Sequence, residues 1–375
     1  MPDPKLSDRR WVLVTSGDHR VSRAAAAAVK ALALAGYRPA VTVSGGASIA
    51  SVSRYCRRRV AVPSVTSDPE GYARAIRMEL RRTPYLTVLP ITEAVLIALD
   101  LPILHLVNKV ECAAIAVRAG IRVPESRLFS SAQELRDHAQ LLDYPVVIKP
   151  DIKRQPAFRA DSPADVRSAR LVEGRFVAQP YLEDELRGVL GLMWQGKLVA
   201  SVHMRYIRIW PVPCGTAAAA ETVSPDVDLE RRLEALLAGY QGLFHVDLAG
   251  PYLLDVNPRV HATLPVGISA GVNLVALYCD LLRGRSVDPV RAPRGHFYRW
   301  IEGDVRTVLQ SVRNGRMSVL SAALALAPRR GAAHSFEALL DPAPMAVRLA
   351  QIATHLAPTF RAAGRGRRIG GTSLR

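Results

Sequence analysis

A strand–helix–strand alternation near the start constrains this chain more than any other feature. Residues 11–14 form an apolar run too short for a helix, ended by Ser16-Gly17-Asp18, which predicts a buried strand entering a turn. Residues 21–35 are rich in Ala and Leu and stop at Gly36, which predicts a helix with a C-terminal glycine. Residues 39–43 give the next strand, closed by Gly45-Gly46. Strand, helix and strand within about 35 residues make a βαβ unit, whose crossover helix joins parallel strands. Residues 69–82 add a helix and residues 85–90 a third strand. The opening segment is therefore a parallel α/β unit. Its first turn, Ser16-Gly17-Asp18-His19, has neither GxGxxG nor GxxxxGK[ST], so a scaffolding role is expected of it.

With 375 residues the chain exceeds one ordinary core, and roughly 150 residues per domain gives two or three domains. Further strands are predicted at residues 145–150 and 176–182, and a hairpin over 190–202 turning at Gln195-Gly196. Residues 243–256 read as two more strands around Ala249-Gly250-Pro251, and 108–120 and 229–238 as helices. Residues 305–313, 319–326 and 344–356 have helical spacing and predict a helical end piece, followed by a glycine-rich mobile tail over 361–375. The four cysteines are dispersed without CxxC spacing, which excludes a disulfide framework or a cysteine zinc site. The first residues lack an apolar signal core, and the most apolar stretch, 87–107, is broken by Pro90, Glu93, Asp100 and Pro102. A reduced, cytoplasmic protein without a membrane span is expected.

The net charge of +17 invites a nucleic-acid partner. The cations are almost all Arg, with Lys only at 5, 30, 109, 149, 153 and 197, and they are dispersed among Ala-rich runs. This pattern resembles the codon bias of a GC-rich genome. No zinc-finger spacing or basic region with heptads accompanies it, so a basic nucleic-acid-binding protein is the weakest reading.

Chemistry concentrates elsewhere. Lys149 ends the apolar strand YPVVIKP, where a buried ammonium needs an anion. Lys109 opens a helix, where the dipole disfavours a cation unless a phosphate shares the site. Asp255 and Asn257 are two apart on a strand and point to one face, and Asp247 comes within reach if the neighbouring strand pairs as a hairpin. Two carboxylates and an amide oxygen suit Mg²⁺, which takes few protein ligands plus phosphate oxygens. Arg259 follows as a planar fork for a phosphoryl or carboxylate group.

YPVVIKP, FVAQPYLEDE and HVDLAGPYLLDVNPR, in that order, resemble the ATP-grasp superfamily of carboxylate–amine ligases. NKVECAAIAVRAGIRVPES is similar to the family's opening helix. DVNPRVHATLPVGISAGVNLVALYCDLLRG resembles the carbamoyl-phosphate-synthase-like branch. The match is best over residues 105–285. The resemblance implies an α/β and α+β chain: a pre-ATP-grasp domain at 9–105, an ATP-grasp domain at 106–285 with subdomains near 106–178 and 179–285, and a helical C-terminal region at 286–360.

It also implies roles. Lys109 and Lys149 would contact ATP phosphates. Gln179, Tyr181 and Leu182 would form the hinge under adenine, and Glu185 would hold the ribose. Asp247, Asp255 and Asn257 would hold Mg²⁺ or Mn²⁺. Arg259 would stabilise the transferring phosphoryl group, with His203 and Arg205 lining the acyl-phosphate side. The implied function is an ATP-dependent ligase that joins a small-molecule carboxylate to an amine, and a homodimer is left open. Three departures support the alternative of a degenerate nucleotide-binding module. The family has Glu where Asp255 stands. The loop after Lys149, residues 151–158, contains no glycine and carries Lys153 and Arg154 instead. The family's second loop, usually Pro-rich and ending in Gly-Gly, appears as Pro211-Val212-Pro213-Cys214-Gly215-Thr216.

Overall fold

A computed structural model describes residues 9–15, 21–152 and 155–365. The turn at 16–19, the loop cations Lys153 and Arg154, and residues 366–375 lie outside the described residues.

The first sheet holds β1 (Trp11–Thr15), β2 (Arg38–Val43), β3 (Arg58–Ala61) and β4 (Tyr85–Pro90), all parallel in the order β3-β2-β1-β4. Val12, Leu13 and Val14 of the central strand are fully buried, as a parallel sheet covered on both faces requires. Strand β3 carries no apolar pattern. Only Val60 of Arg58-Arg59-Val60-Ala61 is buried, so the arginine burst here is the charged edge of a sheet. Helix Arg23–Leu34 starts at Ser22, whose hydroxyl accepts from Ala25 N–H at 3.2 Å. Its run Ala24 to Ala28 is buried because the helix packs against the first sheet and against helices Leu264–Ser269 and Leu274–Leu282. Alanine allows that close approach on several sides, which gives the Ala run a packing reason besides composition.

The second sheet is antiparallel: β5 (Arg127–Phe129), β6 (Val146–Pro150), β7 (Phe158–Ala160) and β8 (Phe176–Pro180), in the order β5-β8-β6-β7. One face buries Phe129, Ile148, Ala160 and Phe176 against two short helices. Alternation puts Val147, Lys149, Val177, Gln179 and Arg159 on the other face.

The large third sheet contains β9 (Leu186–Trp194), β10 (Lys197–Trp210), β11 (Thr216–Thr222), β12 (Gly242–Ala249), β13 (Tyr252–Asn257), β14 (Val290–Arg291), β15 (Phe297–Arg299) and β16 (Ala333–His334). Its order is β13-β12-β9-β10-β11-β15-β16, with β14 pairing β10. Val189, Phe244, Val246 and Val256 face helices Lys109–Arg118 and Val227–Leu236. Leu190, Leu192, Val202 and Leu243 face the opposite way, into the core shared with helix Arg23–Leu34.

The C-terminal region contains helices Ile301–Arg313, Val319–Leu326 and Ala343–Arg365. The expectation of a purely helical piece after residue 285 is corrected, because β14, β15 and β16 return from it to the large sheet. The expected tail also shortens, since residues 361–365 continue the last helix.

Candidate active site

The edge of the large sheet made by β12 and β13 meets the open face of the second sheet, and charge collects there. Lys149 leaves the apolar strand β6 and donates from Nζ to Leu254 O on β13 at 2.7 Å. It is 7% exposed. Burial pushes its ammonium down to about 8, assisted by Lys109 and opposed by Asp255. Lys109 is the first residue of its helix, which Asn108 caps by accepting from Val110 and Glu111 N–H. Its Nζ lies 3.3 Å from Asp255 Oδ1. Burial works against this charge, but Asp255 and Glu93 outweigh it and hold the ammonium above the usual lysine range.

Strands β12 and β13 pair as a hairpin with Asp247 directly opposite Asp255 and His245 opposite Asn257. The four side chains therefore share one face. Asn257 is buried, and its Oδ1 accepts from Arg259 Nη2 at 2.6 Å. Arg259 also lies 3.8 Å from Glu93. Glu93 begins helix Glu93–Ala98 and is buried, so the first α/β unit contributes a carboxylate to this site.

Gln179 is buried on the same face as Lys149, and its Nε2 donates to Ser126 Oγ at 2.7 Å. Tyr181 N–H donates to Pro145 O, and its ring lies 4.2 Å below the Arg159 guanidinium. Leu182 follows, half-buried. Glu185 holds Gly250 N–H with its backbone carbonyl at 3.0 Å, while its side chain is largely exposed, 4.0 Å from Arg187.

His203 and Arg205 do not join this constellation, which corrects their expected place. Register aligns Gly188 of β9 with both Asp247 and Met204, so the odd-numbered neighbours of Met204 point to the opposite face. There His203 Nε2 meets Glu230 Oε1 at 3.1 Å, and Glu230 also accepts from Ser201 and Arg291. Burial pushes the His203 imidazole below its usual range. Arg205 pairs with Glu221 at 3.2 Å. A partly open cavity of about 180 Å³ lies on this far side, lined by His203, Asp226, Asp228 and Arg232. It lacks the lysines and the aspartate pair.

Tyr206, His245 and Glu93 join the site without having been expected there, beside His261, which was expected among the substrate-pocket residues. Tyr206 Oη donates to Asp247 Oδ1 at 2.7 Å, and burial and Asp247 together hold its hydroxyl well above the usual tyrosine range. His245 is fully buried and stacks on His261 with ring centres 3.6 Å apart.

Among the described residues, no group of three or more His, Cys, Asp or Glu side chains is placed to hold a metal alone. Asp247 and Asp255 supply two facing carboxylates, which fits an ion completed by phosphate oxygens and water. Asn257 fits less directly, because its amide oxygen is engaged by Arg259.

No family description and no curated protein matches this sequence. Solved structures do. The chain is similar to an L-amino acid ligase from Bacillus licheniformis, with a TM-score of 0.54, 17% identity, and 73% of this chain and 74% of that one covered. It is similar to N5-carboxyaminoimidazole synthetase from Staphylococcus aureus, complexed with ADP: TM-score 0.57, 10% identity, coverage 76% and 81%. It is also similar to the biotin carboxylase domain of Hydrogenobacter thermophilus 2-oxoglutarate carboxylase, complexed with MgADP and bicarbonate: TM-score 0.57, 12% identity, coverage 77% and 73%. At these identities the likeness is one of fold, and the fold is ATP-grasp. In this chain it is a parallel α/β unit followed by two further sheets, which meet where Lys149 of β6 reaches β13.

Proposed function

We propose that this chain is an ATP-dependent carboxylate–amine ligase. The observation that carries the reading is the convergence of two buried ammonium groups, Lys109 and Lys149, on the Asp247–Asp255 pair where two sheets meet. Buried cations of this kind need anionic partners, and a polyphosphate with a divalent ion supplies charge to both halves of the site. Lys109 and Lys149 bind the phosphates. Gln179, Tyr181 and Leu182 line the adenine and Glu185 meets the ribose. Asp247 and Asp255, with Asn257 once Arg259 releases it, hold Mg²⁺ or Mn²⁺, which neutralises phosphate charge when bound. Arg259 faces the transferring phosphoryl group. The γ-phosphoryl group passes to a carboxylate oxygen and leaves ADP. The amine nitrogen then forms a bond to the acyl carbon and loses a proton, the acyl–phosphate bond breaks, and phosphate departs with its electron pair and takes up that proton. The site lies between subdomains near 106–178 and 179–285, and the substrates are a small carboxylate and a small amine.

A second reading is nucleotide binding without turnover. It is favoured by the way the site satisfies itself, with Lys109 on Asp255 and Arg259 on Asn257, and by the glycine-free loop after Lys149. ADP release measured with Mg²⁺ over a panel of carboxylates and amines separates the two. Release that requires both a carboxylate and an amine supports the ligase. Nucleotide binding with no release on any combination supports the second reading.

A further inference from the structure

Tyr206 reaches Asp247 by an unusual route. It stands on β10, Asp247 stands on β12, and β9 lies between them. The residue of β9 directly opposite Asp247 is Gly188. A Cβ at Gly188 would come 2.5 Å from Tyr206 Oη and 2.9 Å from His245 Nε2. The missing side chain is thus the space through which the tyrosine crosses the sheet. The start of the crossing coincides with a register shift between Tyr206 and Arg208.

The far end is held as firmly. Tyr206 Oη commits its one hydrogen to Asp247 Oδ1 at 2.7 Å, which leaves the oxygen to accept from His245 Nε2 at 3.0 Å. His245 Nδ1 lies 3.5 Å from Asp247 Oδ2. The imidazole is fixed between strand β12 and the ring of His261, which is parallel to it within 2°. His261 is anchored in turn at Nδ1, 2.9 Å from the hydroxyl of the fully buried Thr263. Asp255, opposite it, has Lys109 and the Asn257 amide among its neighbours.

We infer that Tyr206 is a positioning residue that crosses over Gly188 to hold the Asp247 carboxylate toward Asp255, with His245 and His261 fixing its direction. The inference rests on the proposed ligase reading, in which Asp247 holds the divalent ion. A carboxylate already oriented loses less freedom when the ion arrives, and outer-shell partners of this kind typically tune metal affinity about 10- to 100-fold.

The test is a Mg²⁺ titration of nucleotide binding at fixed ATP concentration, on the wild-type chain, Tyr206→Phe and Gly188→Ala, with folding checked by thermal melting. The phenylalanine keeps the ring and removes only the hydroxyl. The alanine pushes the hydroxyl aside from a different strand. In both variants the half-saturating Mg²⁺ concentration is expected to rise about tenfold, while excess Mg²⁺ restores wild-type ATP affinity. A merely structural role would not give that restoration. A variant that folds but shows an unchanged Mg²⁺ midpoint, or a loss that excess Mg²⁺ does not restore, overturns the inference and leaves the ligase reading standing. A wild-type chain that binds no ATP at any Mg²⁺ concentration overturns that reading and the inference with it.

Discussion

Lys149 shows how one residue couples stability to chemistry. Folding lowers its ammonium from the ordinary 10.5 to about 8. Between those values the unfolded chain binds more protons than the folded one, so this residue makes stability rise with pH across that window. Below about 8 the site presents a full positive charge, and above it the charge fades. ATP affinity is therefore expected to be higher near about pH 7 than near about pH 9. Lys149→Met should remove this share of the change, as calorimetric titration at the two pH values would reveal. Lys149 was legible in sequence because a charge at the end of an apolar strand is anomalous. The aspartates of the hairpin were legible because side chains alternate along a strand. Glu93, Tyr206 and His245 carried no such signal, since Tyr206 lies 41 residues from Asp247 and meets it only through sheet order. The same gap misplaced His203 and Arg205. Their face depends on register with Gly188, which the one-dimensional pattern does not contain.

At the scale of elements, long periodic segments were readable and short ones were not. Helix Pro69–Arg82 and strand Tyr85–Pro90 have the expected limits, because caps and apolar periods define them. Strands of two to four residues, such as Arg58–Ala61 and Ala333–His334, are held by neighbours rather than by their own pattern. In β15 the buried Arg299 donates to the carbonyls of Ala325, Leu326 and Ala327, closing the end of helix Val319–Leu326. Asp304, fully buried, pairs with both Arg299 and Arg208 and so ties helix Ile301–Arg313 to β10 and β15. Removing one member of a buried cluster strands the other charges. Asp304→Ala is expected to cost about 3–5 kcal/mol in urea unfolding. Asp228→Ala, which removes an exposed i,i+3 partner of Arg231, should cost less than about 1 kcal/mol. Equal losses would mean that the Asp304 cluster does not hold the C-terminal region to the sheet.

For the whole molecule, the basic charge is partly an internal property. Arg208, Arg259 and Arg299 are buried or nearly so and paired with Asp304 or Glu93, so they contribute to +17 without forming a surface for nucleic acid. Deleting residues 366–375, which lie beyond the last described helix and beyond every site residue, is expected to leave ATP affinity unchanged in the same titration. In the proposed function, Lys149 binds Mg²⁺·ATP where the second and third sheets meet. A charge-assisted hydrogen bond to a phosphate oxygen contributes roughly 1.5–3 kcal/mol, equivalent to about a ten- to hundredfold change in affinity. Lys197 is the matched control, a lysine 79% exposed beside a hairpin turn, 3.9 Å from Glu234. Calorimetric titration of Mg²⁺·ATP into wild type, Lys149→Ala and Lys197→Ala should show binding weakened by that factor in Lys149→Ala alone, and equal affinities in all three proteins would contradict the account.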